Sequence, residues 1–251
     1  MKKTYIAPLI ATLLFIISLG AAEPRFLTTA PEVFYAMLPP PPADDSPAGL
    51  ADIETILQVQ KDRTPAQVER ARRVEKQNVM SLGAWLFGPD FTKENLPRTY
   101  AFLRRATTER GEIVHAMKDQ WSRTRPYDRG LGVEKCVPNR PAGTSYPSGH
   151  SASGALWEVL FSAAMPEYET FFTSARREIM WCRVLAGVHY PSDTQAGGLI
   201  GHAIARDMLK TPATRAAVKE MRAEVLAFLE KHPQAAARAQ NAAAKGEPPR
   251  A

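Results

Sequence analysis

The sequence predicts an all-α protein built as one domain. Three observations carry that prediction. Apolar residues recur at helical spacing along most of the chain, and alternating runs rich in Val, Ile and Thr are absent. Length is the third. The chain has 251 residues, 45% of them hydrophobic and 23% charged, enough for one real core once the ends are set aside.

The elements follow in order. Lys2 and Lys3 precede an apolar run from Ile6 to Leu19, and small residues Gly20, Ala21 and Ala22 follow it. This is the pattern of an export signal cut near Ala22, so residues 1–22 are assigned to a signal peptide and the protein to the periplasm. An uncleaved anchor is the alternative. No later stretch has the length and apolarity of a membrane span. Leu38–Pro42 carries four consecutive prolines and must be extended. Asp52 to Val59 has helical spacing. Thr64-Pro65 reads as a cap with proline at the first helical position, opening a helix to about Val79. Further helices fit Leu96–Ala106, Thr108–Arg123, Ser148–Met165, Tyr168–Val188, Asp193–Leu209 and Thr211–Lys231. The domain is bounded at 23–233. Residues 234–251 are rich in Ala, Arg, Lys and Gln and read as a low-complexity, frayed tail.

The net charge is +6. A basic chain suits an anionic partner: nucleic acid, a membrane surface or a phosphorylated substrate. Basic-aromatic interleaving, which nucleic-acid binding needs, is missing. Cys136 and Cys182 are the only cysteines. An even count in an exported chain predicts a disulfide; two separate thiols, one of them buried, are the alternative.

Three segments carry chemistry. Lys118 and Arg125 are seven residues apart, nearly the same face of a helix, so both can reach one anion. Arg125 precedes Pro126 and belongs at the helix end. In Tyr146-Pro147-Ser148-Gly149-His150, Ser148 is a natural N-cap. The free N–H groups of a helix start bind anions, and Gly149 lets backbone approach an oxyanion closely. In Arg183 to Asp193, Pro191 breaks a helix just after His189. That turn can bring the Asp193 carboxylate to a ring nitrogen of His189, fixing its tautomer. Each segment alone has an ordinary structural explanation. Together, three cations, an anion-ready helix start and two histidines describe a phosphoryl-transfer site. Of the remaining histidines, His115 and His232 are read as surface residues and His202 as structural.

Lys118-x6-Arg125-Pro126, Pro147-Ser148-Gly149-His150 and Arg183-x5-His189-x3-Asp193 resemble the three-part signature of the type 2 phosphatidic acid phosphatase (PAP2) superfamily. Leu38–Pro42 with Asp45-Ser46, and Arg63-Thr64-Pro65-Ala66-Gln67, are similar to the bacterial class A non-specific acid phosphatases within it. The resemblance covers Leu38 to Leu229. It implies a helical bundle of the PAP2/vanadium haloperoxidase type. It implies a metal-independent, cofactor-free acid phosphatase that cleaves phosphate monoesters through a phosphohistidine and can pass phosphate to alcohols. It implies His189 as nucleophile, Asp193 as its orienting group and His150 as acid and then base. Lys118, Arg125, Ser148, Gly149 and Arg183 would hold the phosphate. Small-molecule phosphate monoesters, nucleotides among them, are the implied substrates, and a homodimer the implied assembly, with neither nucleic acid nor stable membrane insertion. A vanadium-dependent haloperoxidase-like oxidoreductase and a lipid phosphate phosphatase are the alternatives. The chain departs from the pattern at Cys182, where serine is usual, and at Ala186, where some relatives have cysteine. A bond from Cys182 to Cys136 would then come from one turn away on the same helix face.

Overall fold

The computed structural model describes residues 25–139 and 143–245. The signal-peptide assignment lies outside them. The described residues are helical, with no strand, as the sequence predicts. The helices are α1 (Pro31–Tyr35), α2 (Pro47–Asp62), α3 (Pro65–Glu75), α4 (Ser81–Phe87), α5 (Pro97–Trp121), α6 (Gly149–Ala164), α7 (Glu169–Leu185), α8 (Pro191–Met208), α9 (Pro212–Lys231) and α10 (Pro233–Lys245). Short 3-10 turns follow α5, at Pro126–Asp128, and α6, at Pro166–Tyr168.

Local chemistry sets where most helices begin. Prolines open α1, α2, α3, α5, α8 and α9, the position where a missing N–H costs nothing. Side-chain caps add to this. The Ser46 hydroxyl accepts from the Gly49 N–H, and Thr64 and Gln67 form a reciprocal capping box, each contact contributing on the order of 1 kcal/mol.

Helix α6 is the axis of the fold. It is buried on nearly every side, from Ala152 and Leu156 to Trp157 and Phe161, as expected of a helix that is apolar all round. It packs most extensively against α8, then α7 and α5. Small residues make the α6–α8 crossing close. A Cβ at Gly197 would stand 2.4 Å from the Ser148 carbonyl oxygen, and one at Gly201 2.3 Å from that of Ala152. Glu158, the one charge inside α6, is satisfied by Arg176, by Thr173 at 2.7 Å and by His202 at 2.6 Å. His202 is thus structural, as expected.

Three sequence expectations need correction. The two helices expected at Leu96–Ala106 and Thr108–Arg123 are the single helix α5. The Thr107 and Thr108 hydroxyls donate back to the carbonyls of Leu103 and Arg104, so these threonines continue the helix instead of capping a new one. The tail from 234, expected to fray, forms most of α10. Ala235 and Ala239 are buried, and α10 packs on α4 and α9. Cys136 and Cys182 are free thiols, not a disulfide. The Cys136 N–H bonds the Ala186 carbonyl, so Cys136 sits opposite residue 186, a full helical turn beyond Cys182. The Cys182 thiol instead faces Glu178 at 3.3 Å, where burial pushes its pKa up to about 12.

Candidate active site

The site forms where the end of α5, the start of α6 and the α7–α8 turn converge. Helix α5 supplies Lys118 in its last turn and then stops. Ser122, at φ 44°, takes a left-handed conformation and ends it. Arg125 therefore comes from extended backbone ahead of Pro126, as the pre-proline restriction demands. The shared-helix-face argument for Lys118 and Arg125 is thus replaced by a turn, though both cations still reach one place. The Lys118 ammonium donates to the Thr144 carbonyl at 2.6 Å and the Ser145 carbonyl at 3.3 Å. Arg125 donates to the Gly143 carbonyl at 3.0 Å and the Val188 carbonyl at 2.9 Å.

The second segment forms the start of α6. The Ser148 hydroxyl caps the helix by accepting from the Ser151 N–H, and the Ser151 hydroxyl lies 3.0 Å from it. The Ser148 N–H donates to the Asp193 carbonyl at 2.9 Å, tying this segment to the third. Nothing crowds Gly149 from above: its nearest such neighbour is Arg110 Nη1, 3.9 Å from where a Cβ would stand. Ser148 and Gly149 thereby present the free N–H end of α6 to the cleft.

The third segment is the α7–α8 turn. Gly187, at φ 71°, lets the chain reverse after α7. Asp193 sits in the first turn of α8, and its carboxylate gathers four groups. Oδ1 accepts from Arg123 at 2.7 Å. Oδ2 accepts from the Tyr190 N–H at 2.8 Å and from the Ser145 hydroxyl, and lies 3.4 Å from His189 Nδ1. This one carboxylate therefore both caps the start of α8 and stands beside the His189 ring. On the other side of the ring, His189 Nε2 lies 3.2 Å from Arg125 Nη1. Arg125 is always a donor, so Nε2 is the acceptor. The ring proton then belongs on Nδ1, toward Asp193 and Ser145.

Arg183 is fully buried, with one nitrogen on Glu75. Its Nε and Nη2 have no hydrogen-bond partner among the described residues. Buried guanidinium N–H groups without an acceptor are costly, and an oxyanion is the acceptor that suits them.

The local field is strongly positive. Burial, then the Arg125 charge, push the Lys118 pKa down to about 7. Burial, then Arg183, lower His150 to about 3, against a hydrogen bond that the ring donates to the Glu75 backbone carbonyl, which favours its proton. His189 is pushed down by burial and then by Arg125, Lys118, Arg183 and His150. Burial and the neighbouring cations thus disfavour the protonated form of both histidines.

Sequence reasoning gave no role to the groups behind this first layer. Arg123 bridges Asp193 to Asp52 of α2 at 2.9 Å and stacks its guanidinium over Tyr190 at 3.9 Å. Asp52 also accepts from the Ser192 N–H at 3.0 Å. Arg123 and Ser145 stand in segments, Arg123-x-Arg125-Pro126 and Ser145 to His150, that resemble the acid phosphatases, but with no role attached to either. Glu75 and Asp52 carried no signal except, for Asp52, an acidic residue one turn before the apolar Ile56.

Residues 103–216 match the family described as PAP2 superfamily, a stretch that holds Lys118, Arg123, Arg125, His150, Arg183, His189 and Asp193 but not Asp52 or Glu75. The non-specific acid phosphatase of Salmonella typhimurium is 29% identical over 201 residues, which cover 76% of this chain and 79% of that protein. That of Providencia stuartii is 26% identical over 195 residues, 69% of this chain and 77% of that protein. Among solved structures, a bacterial vanadium-dependent iodoperoxidase aligns with a TM-score of 0.55 at 17% identity, over 68% of this chain and 52% of that one. The chain thus spans about half the length of that structure, and the likeness is one of fold.

Proposed function

From the premise that this chain carries a PAP2 superfamily domain, we propose that it is an exported acid phosphatase working through a phosphohistidine, without a metal. The observation that carries the reading is His189 Nε2. Its lone pair points into a cradle of buried cations, while Asp193 and Ser145 lie on the opposite side of the ring.

The chemistry follows from that placement. A phosphate monoester brings two negative charges among Lys118, Arg125 and Arg183. The unspent N–H groups of Arg183 and the start of α6 receive its oxygens. The same charge offsets the cationic part of what keeps His150 neutral, the part that adds to burial, so His150 can take up a proton in the complex. The His189 Nε2 lone pair attacks phosphorus, and the bond to the leaving oxygen breaks. His150 gives that oxygen its proton. The imidazolium-like ring keeps its Nδ1 proton, which Asp193 stabilises. A water then attacks the phosphorus and yields its proton to His150. The P–N bond breaks, and inorganic phosphate leaves. An alcohol in place of that water gives phosphotransfer.

The activity named for the curated relatives favours a phosphatase over a haloperoxidase or a lipid phosphatase. Among the described residues no helix is long and apolar enough to cross a membrane. Export with cleavage near Ala22, nucleotides among the substrates and a homodimer complete the proposal. N-terminal sequencing of the periplasmic form and light scattering test the first and last.

The deciding experiment is hydrolysis of p-nitrophenyl phosphate in acid with excess EDTA, wild type beside His189→Ala. Wild-type activity should resist EDTA, and the variant should lose on the order of 10³-fold or more. Activity that survives in the variant overturns the assignment of the nucleophile. Activity abolished by EDTA overturns the metal-free mechanism.

A further inference from the structure

Arg110 is a buried cation that the mechanism above does not use. It projects from α5 two turns before Lys118, and only 8% of it is exposed. Its Nη2 donates to the Ser153 hydroxyl at 2.8 Å. Its Nε has no hydrogen-bond partner among the described residues. Burial alone lowers its pKa to about 10, with no carboxylate contribution to offset it. A guanidinium held this way is short of an anion.

The surroundings show where that anion belongs. Arg110 lines an open cavity of about 410 Å³ together with His150, Gly149, Arg104, Tyr100 and Trp157. No carboxylate lines it. The cavity therefore includes the histidine proposed to protonate the leaving group and runs along α5 and α6, from His150 to Trp157. Arg110 lies beside Gly149, with Nη1 3.9 Å from where a Cβ would stand. Sharing this cavity with His150 puts Arg110 on the leaving-group side.

We propose that Arg110, with Arg104 at the rim, forms an anion subsite that selects substrates whose leaving group carries a second phosphate. A guanidinium pairs with a phosphate through two parallel N–H bonds. The aromatic rings of Tyr100 and Trp157 give the intervening scaffold an apolar wall. The proposal rests on the phosphatase reading for what it calls the leaving group.

The test compares fructose 1,6-bisphosphate with fructose 6-phosphate. Wild type should show the higher kcat/KM on the bisphosphate, after allowance for its second scissile phosphate. Arg110→Gln should lose about 10- to 100-fold on the bisphosphate, with fructose 6-phosphate and p-nitrophenyl phosphate little changed. Arg110→Lys should restore part of the loss. Equal losses on all three substrates, or no wild-type preference, overturn the subsite. Should Arg110→Gln fail to fold, the exposed Arg104→Gln decides: an unchanged preference overturns the proposal, a reduced one supports it. Calorimetry in His189→Ala separates this idea from the catalytic one. Tighter binding of the bisphosphate than of the monophosphate there supports the subsite even if wild type hydrolyses nothing. Equal binding overturns it.

Discussion

Gly197→Ala should cost activity out of proportion to stability. Gly197 of α8 lies against the first turn of α6. An added Cβ would stand 2.4 Å from the Ser148 carbonyl oxygen and 2.9 Å from the Ser151 Cβ. Backbone cannot swing aside as a side chain does. To reach even 3.0 Å, the Ser148 peptide or α8 must shift by about 0.6 Å. Ser148 is the cap of α6, proposed to help hold the phosphate, and its N–H is bonded to the Asp193 carbonyl. The displacement therefore falls on the cradle and on the turn that holds His189. Overpacking of this kind costs about 1–3 kcal/mol, or about 2–12 °C in Tm for a domain of this size. A displacement approaching 1 Å at a catalytic group costs up to about 100-fold in rate. Gly201→Ala is the matched control. Its Cβ would meet the Ala152 carbonyl oxygen at 2.3 Å, an equal clash one turn further from the cradle. Thermal melts and p-nitrophenyl phosphate kinetics, read well below melting, should show similar Tm losses for both. Only Gly197→Ala should lose about 10- to 100-fold in kcat/KM. Equal activity losses, or full activity in Gly197→Ala at a lowered Tm, refute the claim that this contact sets the cradle.

Arg123→Met should destabilise by about 3–5 kcal/mol, because Asp52 and Asp193 are both buried and lose their shared cation; denaturant titration measures it, and a loss under about 1 kcal/mol speaks against the bridge. The histidines make stability pH-dependent. The His150 pKa is about 3 in the folded chain against 6.5 unfolded, so the unfolded state binds more protons between those values. Stability is complete above about pH 6.5 and falls on acidification toward pH 3. Between pH 6.5 and 4.5 the loss from this group should be about 2 kcal/mol, visible as a steeper fall in Tm for wild type than for His150→Asn, and inorganic phosphate should reduce it. Truncation after His232 removes α10, which shares no residue with the site, and should lower Tm by several degrees, for about 1–3 kcal/mol of lost burial, while kcat/KM stays unchanged.

The legible part of the site was what local breaks determine. Pro126, the Ser148 cap and Pro191 each end or begin a helix, and the functional residues stand within a few positions of those breaks. Spacing along the chain then sets their placement, and the eight candidate residues named from the sequence all come from those three segments. Helix starts at Pro65 and, within one residue, at Pro212 were legible for the same reason, whereas α2 begins at Pro47 and not at Asp52, where the helical spacing in the sequence begins. Where the sequence misled, a local signal had a second structural use. Thr107-Thr108 looks like a boundary because threonine favours caps, yet both hydroxyls fold back on the preceding turn and the helix runs on. The alanine-rich end looks featureless by composition. Ala235, Ala239 and Ala242 nevertheless recur at i, i+4 and i+7 and meet the core.

What supports the site came from far along the chain and left no local trace. Asp52 is 71 residues from Arg123, Glu75 is 108 from Arg183, and Ser145 is 48 from Asp193. Such pairs form only when α2 and α3 dock on the α7–α8 turn, and a single sequence does not encode that docking as a pattern. The physics nonetheless requires partners of this kind. Asp193 is fully buried and Arg123 nearly so, and buried charge is tolerated only when paired. A sequence that places Asp193 beside a buried catalytic histidine therefore implies an unseen cation behind it, and Arg123 is that cation. Asp52 is the second carboxylate that the same guanidinium can carry. The orientation of His189, the proposed nucleophile, is thus held by a chain of charges reaching from the first long helix, α2, to α8, and a substitution at Asp52 should register at His189 without touching the substrate.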